Sequence, residues 1–146
     1  MPTTDKKDPF TNFKFLVEID GIPDSAFSRV ILPECRIEPI EYREGIELRI
    51  NKKLLGNPSI GQLVLERGIT SSTALSDWYK TALTAHQNAR RNIAITLLDE
   101  KHDVVCRWEI AGAIPAKYNV APLNAGANDV LIESMELACE SFQRVQ

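Results

Sequence analysis

Apolar and polar residues alternate with a period of two along most of this chain, and the period switches to that of a helix in one clear place. Phe13, Phe15, Val17 and Ile19 point one way while Lys14, Glu18 and Asp20 point the other, with Leu16 the exception. Ile46, Leu48 and Ile50 alternate with Glu47 and Arg49, and Ile93, Ile95 and Leu97 are answered by Val104, Cys106, Trp108 and Ile110. Alternation of this kind builds half-buried strands. By contrast, Leu75, Trp78, Tyr79, Ala82, Leu83 and His86 fall on one helical face, with Ser71 or Ser72 as the N-cap, Asp77 near the positive end of the dipole and an end expected near Asn88. Strands, one helix, then more strands predict a mainly β, α+β domain: a small antiparallel barrel or sandwich with one packed helix.

Turn residues divide the strands. Gly21 to Asp24 closes the first, and Phe27 to Leu32 is a short apolar stretch stopped by Pro33. Cys35 to Glu44 mixes β-branched, aromatic and charged residues, with Pro39 marking an edge or a bend and Glu44-Gly45 turning into a second arm. Asn51 to Ser59 carries Lys52-Lys53, Gly56-Asn57 and Pro58 and reads as a turn-rich exposed segment, followed by a strand from Ile60 to Arg67 closed by Gly68. Asp99 to Asp103 turns a hairpin, and Gly112 to Asn128 reads as an irregular connection with room for one short strand. In the last segment Leu131, Ile132, Met135, Ala138, Cys139 and Phe142 fit a helical face as well as they fit a strand.

The chain of 146 residues fits one domain: residues 1–8 as a flexible polar arm and residues 9–146 as the folded unit. A net charge of −3 has the wrong sign for a binder of phosphate backbones, and Lys52-Lys53 and Arg90-Arg91 are too few for a basic stripe. No apolar run is long enough to span a bilayer, and Met1 to Pro9 lacks the apolar core of a secretory leader, so synthesis in the cytoplasm is expected. Cys35, Cys106 and Cys139 lack metal-ligand spacing and are expected as small buried hydrophobes, Trp78 and Trp108 as core. His86 is expected as a packed or rim residue and His102 in a turn. Glu133, Glu136 and Glu140 are expected on a solvated or partner-facing side. No catalytic, cofactor or metal signature emerges, and the chain is read as a non-enzyme.

Several short strings together carry a further inference. They are Asp8-Pro9 with Asn12-Phe13 running into Phe15-Leu16-Val17-Glu18-Ile19-Asp20-Gly21, then Glu41-Tyr42-Arg43-Glu44-Gly45, then Leu65-Glu66-Arg67-Gly68-Ile69-Thr70. Leu97-Leu98-Asp99-Glu100, Arg107-Trp108-Glu109 and Asp129-Val130 through Met135-Glu136-Leu137-Ala138 complete the series. In order and spacing the series resembles the tail tube proteins of contractile phage tails and related injection systems. The resemblance implies a structural subunit whose strands join into a ring-wide sheet, with six copies per ring and rings stacked around a lumen inside a sheath. Baseplate and tape-measure components would be further partners, and cargo or DNA only a passenger in the lumen, with no membrane insertion. It also implies that the final segment is a strand, with a bulge near Glu133-Ser134. Glu41, Tyr42, Arg43, Glu44 and Gly45 become the expected contact between subunits or rings. A tube initiator on the baseplate is the alternative within the same machine, and a free ligand-binding β-barrel the alternative outside it.

Overall fold

The computed structural model describes residues 8–22, 26–42, 52–126 and 128–146. Nine strands and one α-helix follow in the order β1 (Lys14–Ile19), β2 (Arg29–Ile31), β3 (Cys35–Tyr42), β4 (Lys52–Ile60), β5 (Leu63–Gly68), α1 (Ala74–Thr84), β6 (Arg91–Leu98), β7 (Val104–Val120), β8 (Ile132–Ala138) and β9 (Ser141–Arg144). A 3₁₀ turn, His86–Ala89, separates α1 from β6. The main sheet is antiparallel in the order β1-β6-β7-β8-β5-β2, with β9 also on β7, and β3 and β4 form a separate two-stranded ladder.

The long strand β7 organises everything else. Its first half pairs with β6 on one side, and β8 and β9 run along its other side as one broken strand. Register holds from Trp108↔Arg144 through Ala111↔Ser141 to Pro115↔Leu137, then slips by one residue before Lys117↔Glu136. Pro115 cannot donate to a ladder, which places it beside that slip. The sheet bends at Gly112, whose φ of 62° suits a residue without Cβ. Around the bend, Gly112 N donates to Asn92 Oδ1 (3.2 Å), Glu140 N donates to Ala111 O (3.0 Å), and Arg90 Nη1 pairs with Glu140 Oε1 at 2.8 Å. Folded this way, the inward residues of both halves meet: Val17, Ile93, Ile95 and Ile110 from one, Leu63, Leu65, Met135 and Leu137 from the other. The sheet does not close into a barrel, since β1 and β2 remain as its ends.

Helix α1 covers this core with Leu75, Trp78 and Ala82 buried. Two expectations for it are corrected. The N-cap is Thr73 rather than Ser71 or Ser72, and its hydroxyl donates to Asp77 Oδ2 at 2.8 Å instead of accepting a helix N–H. The helix stops at Thr84 rather than near Asn88, which leaves His86 exposed in the 3₁₀ turn, and Leu83, within the helix, is exposed rather than on its buried face. Trp78 lies where the helical face placed it, 1% exposed, with Nε1 donating to Ala89 O at 2.6 Å.

Other departures share one cause, turn-type or charged residues set inside strands. Lys52–Ile60 is a strand, and Gly56-Asn57 absorb a ladder slip between Ile37↔Pro58 and Pro39↔Leu55. The region after Gly112 continues β7 to Val120 instead of becoming irregular. The final segment is strand, not helix, but it breaks at Cys139 and Glu140, while Glu133 and Ser134 pair without a slip. Cys106 is buried and Cys139 half-buried, whereas Cys35 is exposed at the root of the β3–β4 hairpin. The proposed arm Ile46 to Ile50 lies outside the described residues.

Candidate assembly surface

The β3–β4 hairpin is the element whose side chains the fold does least to bury. Strands β3 and β4 pair with each other and with no other described strand. A two-stranded ribbon is marginal in water on its own. This one also carries apolar side chains into solvent. Ile40 and Leu54 face each other across the ladder at 56% and 52% exposure, and Pro39 opposes Leu55, which is 75% exposed. Ile37 is exposed nearer the root. Successive cross-strand pairs occupy opposite faces of a ribbon, so both faces are apolar. A ribbon with one wet face would not need this.

The two strands of the hairpin hold each other closely. Gly61 N donates to Glu34 O at 2.7 Å, and a Cβ on Gly56 would stand 2.8 Å from Glu38 O, so the two strands approach closely there. At the far end Glu41 pairs with Lys53 and Tyr42 with Lys52. Arg43, Glu44 and Gly45 lie outside the described residues. The structure therefore brings Glu41 and Tyr42 to the outer end of a projecting ribbon. Ile37, Ile40, Leu54 and Leu55 were not expected from sequence as an exposed apolar surface, although a cluster of four aliphatics in an otherwise polar, Pro- and Gly-punctuated stretch was available as a signal.

Sheet edges supply a second assembly feature. Strands β1 and β2 end the main sheet, and each leaves one row of backbone N–H and C=O groups outside any described ladder. Such rows are templates for another strand. On β2, Arg29 reaches Glu66 across the β5 pairing at 3.4 Å, an exposed pair of small energetic weight.

Beneath the surface sits a charged network around Glu133, a residue expected from sequence on a solvated or partner-facing side. Glu133 is buried, its Oε1 accepting from Arg67 Nε at 2.7 Å and its Oε2 from the Tyr118 hydroxyl at 2.5 Å. Arg67 is equally buried and stacks over Phe27, with Cζ 5.6 Å from the ring centre. Tyr118 in turn stacks on Tyr79 of α1. Burial, reinforced by the hydrogen bond to Glu133 and by its charge, pushes the Tyr118 phenol up to about 12 against the opposing pull of Arg67. This arrangement ties β5, β7, β8 and α1 together, with both Glu133 carboxylate oxygens engaged. Burial also raises the Cys139 thiol above its ordinary range, away from the thiolate needed for reactivity. Among the described residues no group of three or more His, Cys, Asp or Glu could hold a metal ion, and no helix is long and apolar enough to cross a membrane.

The chain is similar to solved structures of contractile injection machines. One is a chain from the anti-feeding prophage baseplate, determined with six-fold symmetry: 29% identity, TM-score 0.79, covering 96% of this chain and 97% of that one. Another belongs to the extended-state sheath/tube terminator of the extracellular contractile injection system PVC, at 20% identity and TM-score 0.83 over 96% of this chain and 99% of that one. Hcp1 from Flavobacterium johnsoniae shares the fold more loosely, at 12% identity and TM-score 0.56 over 90% and 94% of the two chains. No curated protein matches. The family model described as "T4-like virus tail tube protein gp19" matches residues 11–143, nearly the whole of the folded unit, and the chain belongs to that family of structural tube proteins.

Proposed function

We propose that this chain is the main inner-tube subunit of a contractile phage tail or phage-like injection particle, forming hexameric rings that stack around a lumen inside a sheath. The observation that carries this is the match of residues 11–143 to the tail tube family, joined to a fold that leaves two sheet ends open and one apolar hairpin uncovered. Open ends joined subunit to subunit leave no edge in a closed ring, which turns an aggregation hazard into the means of assembly. Similar chains come from a sheath-tube complex of PVC and from a six-fold baseplate, and these support sheath and baseplate as partners. Residues 9–146 act as the tube unit and residues 1–8 as an arm. Tape-measure protein, and cargo or DNA in passage, would occupy the lumen. Assembly begins in the cytoplasm where the chain is made.

Glu41, Tyr42, Arg43, Glu44 and Gly45 serve the contact between subunits or rings. An arginine at such a tip can hold a partner carboxylate in bidentate fashion. Changing Tyr42 and Arg43 together to Ala is expected to leave a folded monomer, by circular dichroism, that no longer forms rings or tubes by negative-stain microscopy. Normal tubes from the double variant would end the claim for these residues.

A second reading has its own support: the 29% identical chain belongs to a baseplate, which favours a tube-initiating ring. Microscopy separates the two. A main tube subunit stacks on itself into tubes of many rings, while an initiator stops at one ring or at a pair.

A further inference from the structure

Between β1 and β2, the two ends of the open sheet, lies a groove of about 420 Å³. Phe15 of β1, Trp108 of β7, Val30 of β2 and Leu32 just after it line the groove, together with Phe10 and Phe13 from the segment before β1. Phe15, Val30, Leu32 and Trp108 are only partly buried, so the edge of the core shows at this gap. Phe10 precedes β1 in the chain yet shares the groove with Val30 and Leu32, so residues 8–13 cross the mouth of the gap from one sheet end towards the other. The crossing turns at Asn12, whose φ of 52° is left-handed. There Asn12 Nδ2 donates to Glu100 Oε1 at 3.1 Å, and Thr11 borders the β6–β7 turn of Asp99, Glu100, Lys101 and Asp103.

We propose that residues 8–13 are a strap that covers this gap in the unassembled chain and swings away when a neighbouring copy joins at β1. This rests on the reading of the open sheet ends as assembly edges and adds what guards one of them. The strap lies where cover is needed. An apolar gap beside an open row of backbone groups is a hazard in a free subunit, and Phe10 and Phe13 put two aromatic rings on it. The strap is also lightly held. No strand pairing includes residues 8–13, since the β1–β6 ladder begins at Lys14. The Asn12–Glu100 bond is the only side-chain hydrogen bond these residues make among the described residues, and it is exposed. Phe10 and Phe13 are 49% and 50% exposed. A segment with no ladder, little buried area and an exposed bond opens at low cost. When opening must precede association, the apparent affinity falls by the fraction of chains that are open, so the strap restrains free copies without preventing their assembly.

The test follows assembly of the full chain by light scattering and microscopy. Asn12→Pro fixes φ at about −65°, which the turn cannot adopt, and should release the strap. Assembly should then begin at about tenfold lower concentration than in wild type, with an unchanged circular dichroism spectrum. Phe10→Ser, which leaves the backbone free, should act in the same direction. The converse variant locks the strap. Cys35→Ser removes the exposed native thiol, and Phe10→Cys with Val30→Cys places one thiol on the strap and one on β2. Oxidised before assembly, this chain should form an intramolecular disulfide and stay monomeric until reductant is added, while either cysteine alone should assemble with or without oxidant. Unchanged or weaker assembly of both Asn12→Pro and Phe10→Ser would overturn the strap. So would a cysteine pair that forms no intramolecular disulfide, or a locked chain that assembles like wild type. Each of those results leaves the tube reading standing. Wild-type and Asn12→Pro chains that both remain monomeric at every concentration would instead overturn the tube reading, and the strap with it.

Discussion

Replacing Trp78 with Ala is the sharpest test of how the helix holds this fold together. Trp78 is buried to 1% exposure, donates through Nε1 to Ala89 O at 2.6 Å, and carries Arg91 above its ring at 5.5 Å. One side chain therefore ties α1 to the 3₁₀ turn and to the first residue of β6. An indole buries about 200 Å², which at about 25 cal/mol per Å² is about 5 kcal/mol of transfer free energy, an upper bound because denatured chains also bury some of it. The lost hydrogen bond adds about 1 kcal/mol and the cation–π contact about 0.5 kcal/mol. Partial collapse of the surrounding core offsets some of the total, leaving about 4 kcal/mol, within the range for large aromatic truncations. In a chain of this size that is a fall in Tm on the order of 15 °C. Urea unfolding followed by far-ultraviolet circular dichroism measures it without depending on tryptophan fluorescence, and Trp78→Phe should recover more than half the loss. If Trp78→Ala costs under about 1 kcal/mol with an unchanged m-value, the helix is not anchored through this residue.

Two further outcomes follow from the bend and the buried network. Gly112→Ala should destabilise by about 1–3 kcal/mol, because its φ of 62° strains any L side chain and a Cβ there would overlap the Glu140 side chain. Adding Glu140→Ala should return only the part due to overlap, as read by thermal melts of the single and double variants. Stability should also fall as pH rises through the alkaline range. Tyr118 keeps its proton to about 12 in the folded chain against 10.0 unfolded, so the folded state binds more protons between those values. The contribution is fully present below pH 10 and lost towards pH 12, and it is modest because the ring is only partly buried. Subtracting the Tyr118→Phe profile from wild type should isolate it, and identical profiles would show that the bond to Glu133 does not hold the proton.

What was legible in the sequence follows from how uniformly each element obeys its own period. The β6–β7 hairpin was readable because Ile93, Ile95 and Leu97 meet Cys106, Trp108 and Ile110 with the turn-forming Asp99 between them; Asp99 Oδ1 accepts from both Lys101 N and Asp103 N at 2.9 Å. Trp78 was readable because its helix has a single buried face. The last segment was ambiguous because its inward positions are Glu133, Met135 and Leu137, and a buried carboxylate in an apolar row erases the alternation. Its partner, Arg67, occupies an inward position of β5 in the same way. Composition cannot reveal that two charges sixty-six positions apart neutralise each other. Strand β4 and the far half of β7 were hidden by Gly56, Pro58, Gly112 and Pro115, residues that punctuate loops in most chains but mark a slip and a bend here. The apolar hairpin was hidden for another reason, since exposure is a property of the fold and no period encodes it.

That exposure makes sense only in the assembled state. Ile37, Ile40, Leu54 and Leu55 on a ribbon without packing partners would be selected against in a chain that works alone, because an apolar edge invites indiscriminate pairing. On the proposed function, two features would turn the hazard into a directed contact. The ribbon is a continuous ladder that the Gly61–Glu34 bond extends in register with Cys35↔Ile60, so its two strands hold each other extended. Less ordering entropy is then lost on docking, which leaves more of the contact's energy for association. The other feature is the small net charge of −3, which imposes little repulsion between copies. Association of such chains should therefore depend weakly on salt at the apolar contact. Any strong salt dependence would have to come from the charged residues at the hairpin's outer end and from the acidic turn of Asp99, Glu100 and Asp103. Neutralising that turn with Asn and Gln would then reduce the salt dependence of assembly while leaving its strength at high salt unchanged.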